Sequence, residues 1–183
     1  MKKICFSVYF ILVYLNIYSE DGLFKTEKSD AVPFSNNSVV LKPSWVKNRE
    51  DLNTTYLKSL DPDRLLHNFR VNAGLPSDAK PLEGWEAPNI GLKGHFTGHY
   101  LSAVSILVEK YKDPVLTERI NYMIEELHKC QLALGNGYLS AFPERDFDVL
   151  EKKFGGVWAP YYTYNKIMQG LLDAYIYAGN KTA

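Results

Sequence analysis

The chain has 183 residues, of which 46% are hydrophobic and 14% aromatic, and this is enough for one domain with an apolar core. Equal numbers of basic and acidic residues, 21 of each, give a net charge of zero. The chain therefore lacks the basic excess that is typical of nucleic-acid-binding proteins. Its two cysteines, Cys5 and Cys130, are too few for a disulfide framework or a multi-cysteine metal site.

Residues 1–19 are typical of a secretory signal peptide, because Lys2 and Lys3 precede an apolar run over residues 4–17. The run is short for a membrane span, although a retained N-terminal anchor is the alternative. We expect cleavage after Ser19, a secreted or periplasmic protein, and no stable membrane insertion once the signal is removed. Residues 20–38 are polar and without periodicity, which favours a flexible arm.

The first elements after the arm are one extended segment and two helices. Residues 39–46 predict a strand or an extended segment that Pro43 interrupts. A helix is predicted from residue 50 to residue 60, since apolar side chains recur there on one face. Asp61 and Pro62 then predict the cap and first position of a second helix, which Gly74 closes.

A proline- and glycine-rich loop is predicted over residues 76–91, and it contains Trp85 between Glu83 and Glu86. Such a tryptophan either lines a cleft or anchors the loop on the core.

Two histidines, His95 and His99, open the next predicted helix, which extends to about residue 111. Their spacing of four places both imidazoles on one face of the helix. Gly94 and Gly98 precede them and leave the helix surface bare, so a neighbouring backbone or a ligand can approach closely. The two histidines are either polar groups that face one cavity or core residues that their neighbours satisfy.

The rest of the chain continues the helical pattern. A long amphipathic helix is predicted from Pro114 to about residue 134, with Cys130 as a small buried hydrophobe. A turn at residues 135–137, an extended stretch over 138–143, a short helix over 147–154 and a last helix over 163–178 follow. With no convincing strand pair, this order favours an all-α toroid or bundle.

No local motif predicts catalysis by itself. The carboxylates near aromatic loops are Glu83, Glu86, Glu144 and Asp146, and none has a partner at a diagnostic spacing. The sequence contains no phosphate-binding loop, nucleophile elbow or zinc signature.

Three segments together resemble the β-L-arabinofuranosidase glycoside hydrolases, family 127 and its relatives. They are GLKGHFTGHYLSA at residues 91–103, GYLSAFP at 137–143 and VWAPYYT at 157–163. DRLL at residues 63–66 and GLLDAY at 170–175 also fit. The resemblance covers about residues 39–180, and several motifs in the same order are a specific signal.

The resemblance implies a partial (α/α)6 toroid whose inner helix ends and loops form a sugar pocket. The substrate-binding residues that it implies are His95, His99, Trp158, Tyr161, Tyr162 and Asn165. Asn165 stands where relatives usually carry a histidine, and an amide cannot carry the charge of that ring.

The family's cysteine nucleophile, its glutamate acid/base and its zinc, held by cysteines and a glutamate, are implied to lie C-terminal of the matched segments. Cys130 matches a helix position instead, so we predict no catalytic residue and no metal ligand in this chain. Zinc is expected only in a full-length parent.

These observations predict that residues 39–183 are the N-terminal part of a secreted helical glycoside hydrolase domain acting on L-arabinofuranosides. The chain would contribute a wall of the substrate pocket, and its main partner besides a carbohydrate would be the missing C-terminal part of the same domain. The alternative is a non-catalytic helical domain with a carbohydrate-binding or structural role.

Overall fold

The structure is a computed structural model that describes residue 31 and residues 34–183. The predicted signal peptide and most of the predicted arm lie outside the described residues. The last part of that arm is described, and it forms a 3-10 turn at Asn36–Ser38. This turn is held by the side chains of Ser35 and Asn36, which both hydrogen-bond to the carboxylate of Glu109.

Six α-helices make up the fold, and no strand occurs in the part of the chain that the structure describes. The predicted all-α class is therefore confirmed. The helices are α1 Trp45–Ser59, α2 Pro62–Asn72, α3 His95–Tyr111, α4 Pro114–Leu134, α5 Glu144–Lys153 and α6 Pro160–Ile176. A second 3-10 turn, Gly84–Glu86, lies in the loop between α2 and α3.

The starts of α2 and α4 agree with the sequence. The carboxylate of Asp61 accepts a hydrogen bond from the backbone N–H of Asp63 at 2.9 Å, with Pro62 at the first helical position. The carboxylate of Asp113 accepts from the backbone N–H groups of the second and third residues of α4. Each cap satisfies donors that have no partner inside the helix.

Three predicted boundaries were wrong. Trp45 already belongs to α1 rather than to a strand, because the Ser44 hydroxyl caps the helix by accepting from the N–H of Lys47 at 3.3 Å. Helix α5 begins at Glu144 and α6 begins at Pro160, both earlier than predicted. Acidic residues in the first turn of α5 and a proline at the first position of α6 favour these earlier starts.

The core lies where α2, α3, α4 and α6 meet. Fully buried side chains include Leu66, Phe69, Leu101, Val104, Leu116, Ile120, Met123, Ile124, Leu127 and Ile167. Cys130 is buried among them, as predicted, and this burial raises the pKa of its thiol to about 11. A thiol in this state is protonated at neutral pH and is not a nucleophile.

Arg70 joins α2 to α4 through ion pairs with Asp63 at 2.8 Å and Glu126 at 2.5 Å. The pKa of Asp63 is lowered by its hydrogen bond from Tyr122 and then by Arg70. Burial alone would raise the pKa of Glu126, but hydrogen bonds from Lys129 and Arg70 outweigh it and lower that pKa. Both carboxyl groups therefore favour the folded state in their charged form.

Helices α3 and α6 cross with their backbones in close contact. A Cβ atom placed on Gly98 of α3 would lie 2.1 Å from the carbonyl oxygen of Lys166 in α6. A Cβ atom on Gly170 of α6 would lie 2.6 Å from the carbonyl oxygen of Gly98. Of the two roles that the sequence allows for Gly98, close approach of a neighbouring backbone is the one observed.

One side of α6 remains largely exposed in the described part of the chain. Met168, Leu172, Tyr175 and Ile176 are each about half exposed, at 56%, 51%, 46% and 55%. Met168, Leu172 and Tyr175 line an open depression of about 630 Å³. None of the helices in the described part of the chain is long and apolar enough to cross a membrane.

Candidate functional site

The site is built around the start of α3, which is capped by the buried carboxylate of Glu86. Gly94 has a left-handed backbone with φ of 89°, a conformation that favours glycine. The carboxylate accepts hydrogen bonds from the backbone N–H of Gly94 at 2.6 Å and of Phe96 at 2.8 Å. A negative charge at a helix N-terminus also interacts favourably with the helix dipole.

The same carboxylate orients the imidazole of His95. Its Nδ1 lies 2.5 Å from Oε1 of Glu86 and 2.8 Å from the carbonyl oxygen of Leu92. Both neighbours are acceptors, so Nδ1 must carry a hydrogen. Nε2 is then the ring nitrogen left to accept a hydrogen bond from a ligand when the imidazole is neutral.

His95 lines a cavity of about 320 Å³ together with Trp85, Leu92, Trp158, Ala159 and Tyr162. The rings of Trp85 and Trp158 meet edge to face, with their centroids 6.3 Å apart. Both tryptophans are more than half exposed, at 67% and 61%. The cavity is thus an open cleft with aromatic walls, and Trp85 lines it rather than only anchoring its loop.

Hydrogen bonds from the residues that follow Trp158 hold it against the loop that precedes α3. The backbone N–H of Ala159 donates to the carbonyl oxygen of Gly91 at 2.8 Å. The Thr163 hydroxyl donates to the carbonyl oxygen of Leu92 at 3.1 Å. A Cβ atom on Gly91 would lie 2.8 Å from the Cβ of Trp158. Only glycine allows this approach, so Gly91 positions Trp158.

His99 lies one turn further along α3, at the edge of this cleft. Its ring is perpendicular to that of His95 with centroids 5.9 Å apart, and its Nε2 is 3.3 Å from the hydroxyl of Tyr162. Burial, followed by the nearby charges of His95 and Lys166, lowers the pKa of His99. This shift favours the neutral imidazole, which can exchange a hydrogen bond with the Tyr162 hydroxyl.

The structure distributes the six predicted substrate-binding residues over three places. His95, Trp158 and Tyr162 line the cleft, and His99 lies beside them. Tyr161 lines a separate cavity of about 390 Å³, whereas Asn165 lies along the depression on the open side of α6. Helical rotation separates the neighbouring side chains of Tyr161 and Tyr162, whereas Asn165 lies on the same face as Tyr161 but one turn further along α6.

The sequence drew attention to Glu86 as a carboxylate in an aromatic loop, but its role as the cap of α3 was not anticipated. Its partners are eight to ten residues further along the chain, beyond the spacing of any local capping motif. The feature of the sequence that pointed to Glu86 was its position next to a tryptophan in the Glu-Gly-Trp-Glu loop.

No three His, Cys, Asp or Glu side chains in the described part of the chain lie close enough together to hold a metal ion. Cys130, the described free cysteine, is in the core. These residues do not form the ligand set of cysteines and a glutamate that the resemblance implies for zinc.

Comparisons with known proteins bear on these observations. A model of the β-L-arabinofuranosidase GH127 catalytic domain matches residues 38–183, whereas no curated protein matches the chain. The match covers most of the chain, and the all-helical structure is consistent with part of the helical toroid of that family. A glycosidase family implies a carbohydrate substrate. The chain therefore belongs to the GH127 β-L-arabinofuranosidase catalytic-domain family.

Proposed function

We propose that this chain is the N-terminal part of a secreted glycoside hydrolase that acts on L-arabinofuranosides. It supplies a wall of the substrate pocket, and the remainder of the same domain supplies the nucleophile, the acid/base and the zinc. Residues 1–19 direct secretion and are then removed. N-terminal sequencing of the exported protein tests this part of the proposal, because a retained Met1 start would contradict cleavage.

The observation that carries the proposal is the cleft between Trp158, Trp85 and the oriented His95. Aromatic faces cover the apolar side of a sugar ring, while a fixed ring nitrogen and the Tyr162 hydroxyl can hydrogen-bond to its hydroxyl groups. The Glu86 carboxylate is engaged by backbone N–H groups of α3 and by Nδ1 of His95, and it does not line the cleft. This arrangement suits a neutral ligand such as a furanoside.

The open side of α6 supports the assignment to part of a larger helical domain. Met168, Leu172 and Tyr175 follow one another at helical spacing and remain about half exposed. Each large apolar side chain left in water forgoes about 1.5–3 kcal/mol of burial. A further helix of the toroid packed on this side would recover that energy.

Binding to the cleft can be followed by tryptophan fluorescence, because two of the three tryptophans in the chain line it. Replacing the third, Trp45→Phe, leaves only reporters of the cleft. We expect methyl β-L-arabinofuranoside to change this emission and Trp158→Phe to reduce the response. An equal response to methyl glucoside would contradict the proposal.

The isolated chain is expected not to hydrolyse an aryl β-L-arabinofuranoside, since the catalytic groups lie elsewhere. Turnover clearly above a buffer control would contradict the assignment of catalysis to the remainder of the domain. Sugar binding by an isolated chain that is monomeric and unfolds cooperatively would favour the alternative, a self-sufficient carbohydrate-binding domain. Light scattering and thermal unfolding of the same sample distinguish these outcomes.

A further inference from the structure

A second cavity, of about 390 Å³, lies between α5, the start of α6 and the turn before α5. It is separate from the cleft described above, although one of its residues, Tyr161, is among the six for which the family resemblance implies substrate binding. Its lining consists of four aromatic rings and two carboxylates, namely Tyr138, Phe147, Tyr161, Tyr164, Glu144 and Asp148.

One of the four rings, that of Phe147, is perpendicular to the other three. Phe147 stands perpendicular to Tyr138, Tyr161 and Tyr164, with interplanar angles of 89°, 89° and 82°. Tyr138 and Tyr164 are nearly parallel, at 9°. Perpendicular aromatic walls around one space are the arrangement with which proteins bind quaternary ammonium groups.

The side of α5 that carries Phe147 is also negatively charged. Glu144, Asp148 and Glu151 recur at intervals of four and three residues, so they share one side of the helix with that ring. The basic residues of the helix, Arg145, Lys152 and Lys153, do not line the cavity. Asp148 forms no ion pair with any residue that the structure describes.

Most polar groups around the cavity are acceptors or are already engaged as donors. The Tyr138 hydroxyl donates to the carbonyl oxygen of Phe142, and the Tyr161 hydroxyl donates to Glu151. Burial, together with the nearby charges of Glu144 and Asp146, raises the pKa of Tyr138 to about 12. A sugar needs both donors and acceptors, whereas a cation needs only acceptors and ring faces.

We propose that this cavity binds a quaternary ammonium group, with the rings of Tyr138, Phe147, Tyr161 and Tyr164 around its methyl groups and the Asp148 carboxylate as counter-ion. The proposal is independent of the proposed glycosidase function, because no residue of the cavity lines the cleft.

The test is an NMR titration of the folded chain with choline and with its neutral isostere 3,3-dimethylbutan-1-ol. We expect choline to saturate with a Kd of about 1–10 mM and the isostere to bind at least about tenfold more weakly, because it lacks the charge. Equal affinity for the two compounds, or no saturation by choline below about 50 mM, would overturn the proposal.

Two variants complete the test. Asp148→Asn should weaken choline binding about fivefold, since it removes the counter-ion. Glu118→Gln changes an exposed carboxylate on α4 and should leave binding unchanged. Unchanged affinity in Asp148→Asn, with an unaltered far-UV circular dichroism spectrum, would contradict the proposed counter-ion. Vesicles of phosphatidylcholine, titrated in parallel, show whether the cavity accepts a lipid headgroup as well as the free ion. If methyl β-L-arabinofuranoside bound in this cavity in preference to choline, the proposed class of ligand would be refuted.

Discussion

The contact between α3 and α6 predicts that Gly98→Ala strongly destabilises the protein. The added methyl group would lie 2.1 Å and 2.3 Å from the carbonyl oxygen and carbon of Lys166, and 2.8 Å from the nitrogen of Ile167. All three are backbone atoms of a helix, so no side-chain rotation can relieve the overlap. The two helices must separate by roughly 1 Å to restore an ordinary contact.

Separation of the helices affects the core and the cleft together. Leu101 and Ile167 are at most 1% exposed and lie beside the crossing, so a gap there costs packing energy. Overpacking of this kind costs about 1–3 kcal/mol or more, and the lost contacts add to it, while alanine recovers about 1 kcal/mol of helix propensity. We expect a net loss of about 2–3 kcal/mol, a large part of a typical stability of about 5–15 kcal/mol.

Urea unfolding followed by far-UV circular dichroism measures this effect. For a slope of about 1–3 kcal/mol per molar, a loss of this size should lower the midpoint by about 0.7–3 M. Gly155→Ala is the matched control, because Gly155 has an ordinary φ and no atom closer than 3.9 Å to an added Cβ. A Gly98→Ala midpoint equal to that of the wild type would refute the close-contact argument.

Three further predictions concern single side chains. Glu86→Ala should lower stability by about 2–3 kcal/mol, because it leaves buried N–H groups at the start of α3 without an acceptor; urea unfolding measures it. Arg70→Gln should make the free energy of unfolding fall less steeply as the pH is lowered into the acid range. The two carboxyl groups that Arg70 contacts have lowered pKa values, so their contribution is present above their unfolded values of about 3.9 and 4.3 and is lost as pH falls through the folded values. Leu172→Glu should reduce self-association of the isolated chain in light scattering, because it places a charge on the open side of α6.

Two of these predictions have a control variant on the surface. Glu83→Ala removes an exposed carboxylate three residues before Glu86 and should change stability by less than about 0.5 kcal/mol. Val115→Glu alters an exposed apolar residue of α4 and should leave association unchanged. If the free energy of unfolding of Arg70→Gln fell with decreasing pH as steeply as that of the wild type, the argument from the lowered pKa values would be contradicted. Equal association of Leu172→Glu and the wild type would show that another surface self-associates.

The sequence predicted the helix starts that depend on neighbouring residues. Asp61 with Pro62, and Asp113 with Pro114, act within two or three positions, so their pattern is visible without the fold. The start of α1 was missed although Ser44 caps it in the same way, because the valines on both sides of Pro43 favoured an extended segment.

The parts of the site that depend on distant contacts could not be predicted from local patterns. Spacing placed His95 and His99 on one face, and their rings do lie side by side. The cap by Glu86 joins a loop to a helix, and the crossing of Gly98 with Gly170 joins residues far apart in sequence. Only tertiary packing reveals that Tyr161, Tyr162 and Asn165 point into three different places.

The same crossing constrains the order of events during synthesis. Helix α6 begins about 65 residues after α3, so at about 5–20 residues per second α3 waits several seconds for its main packing partner to be translated. During that interval its apolar surface is available to chaperones or to neighbouring nascent chains. Contacts between such distant segments also raise the contact order, which slows folding. Synonymous changes that slow translation between residues 112 and 159 should therefore lower the yield of soluble protein without altering the sequence of the product.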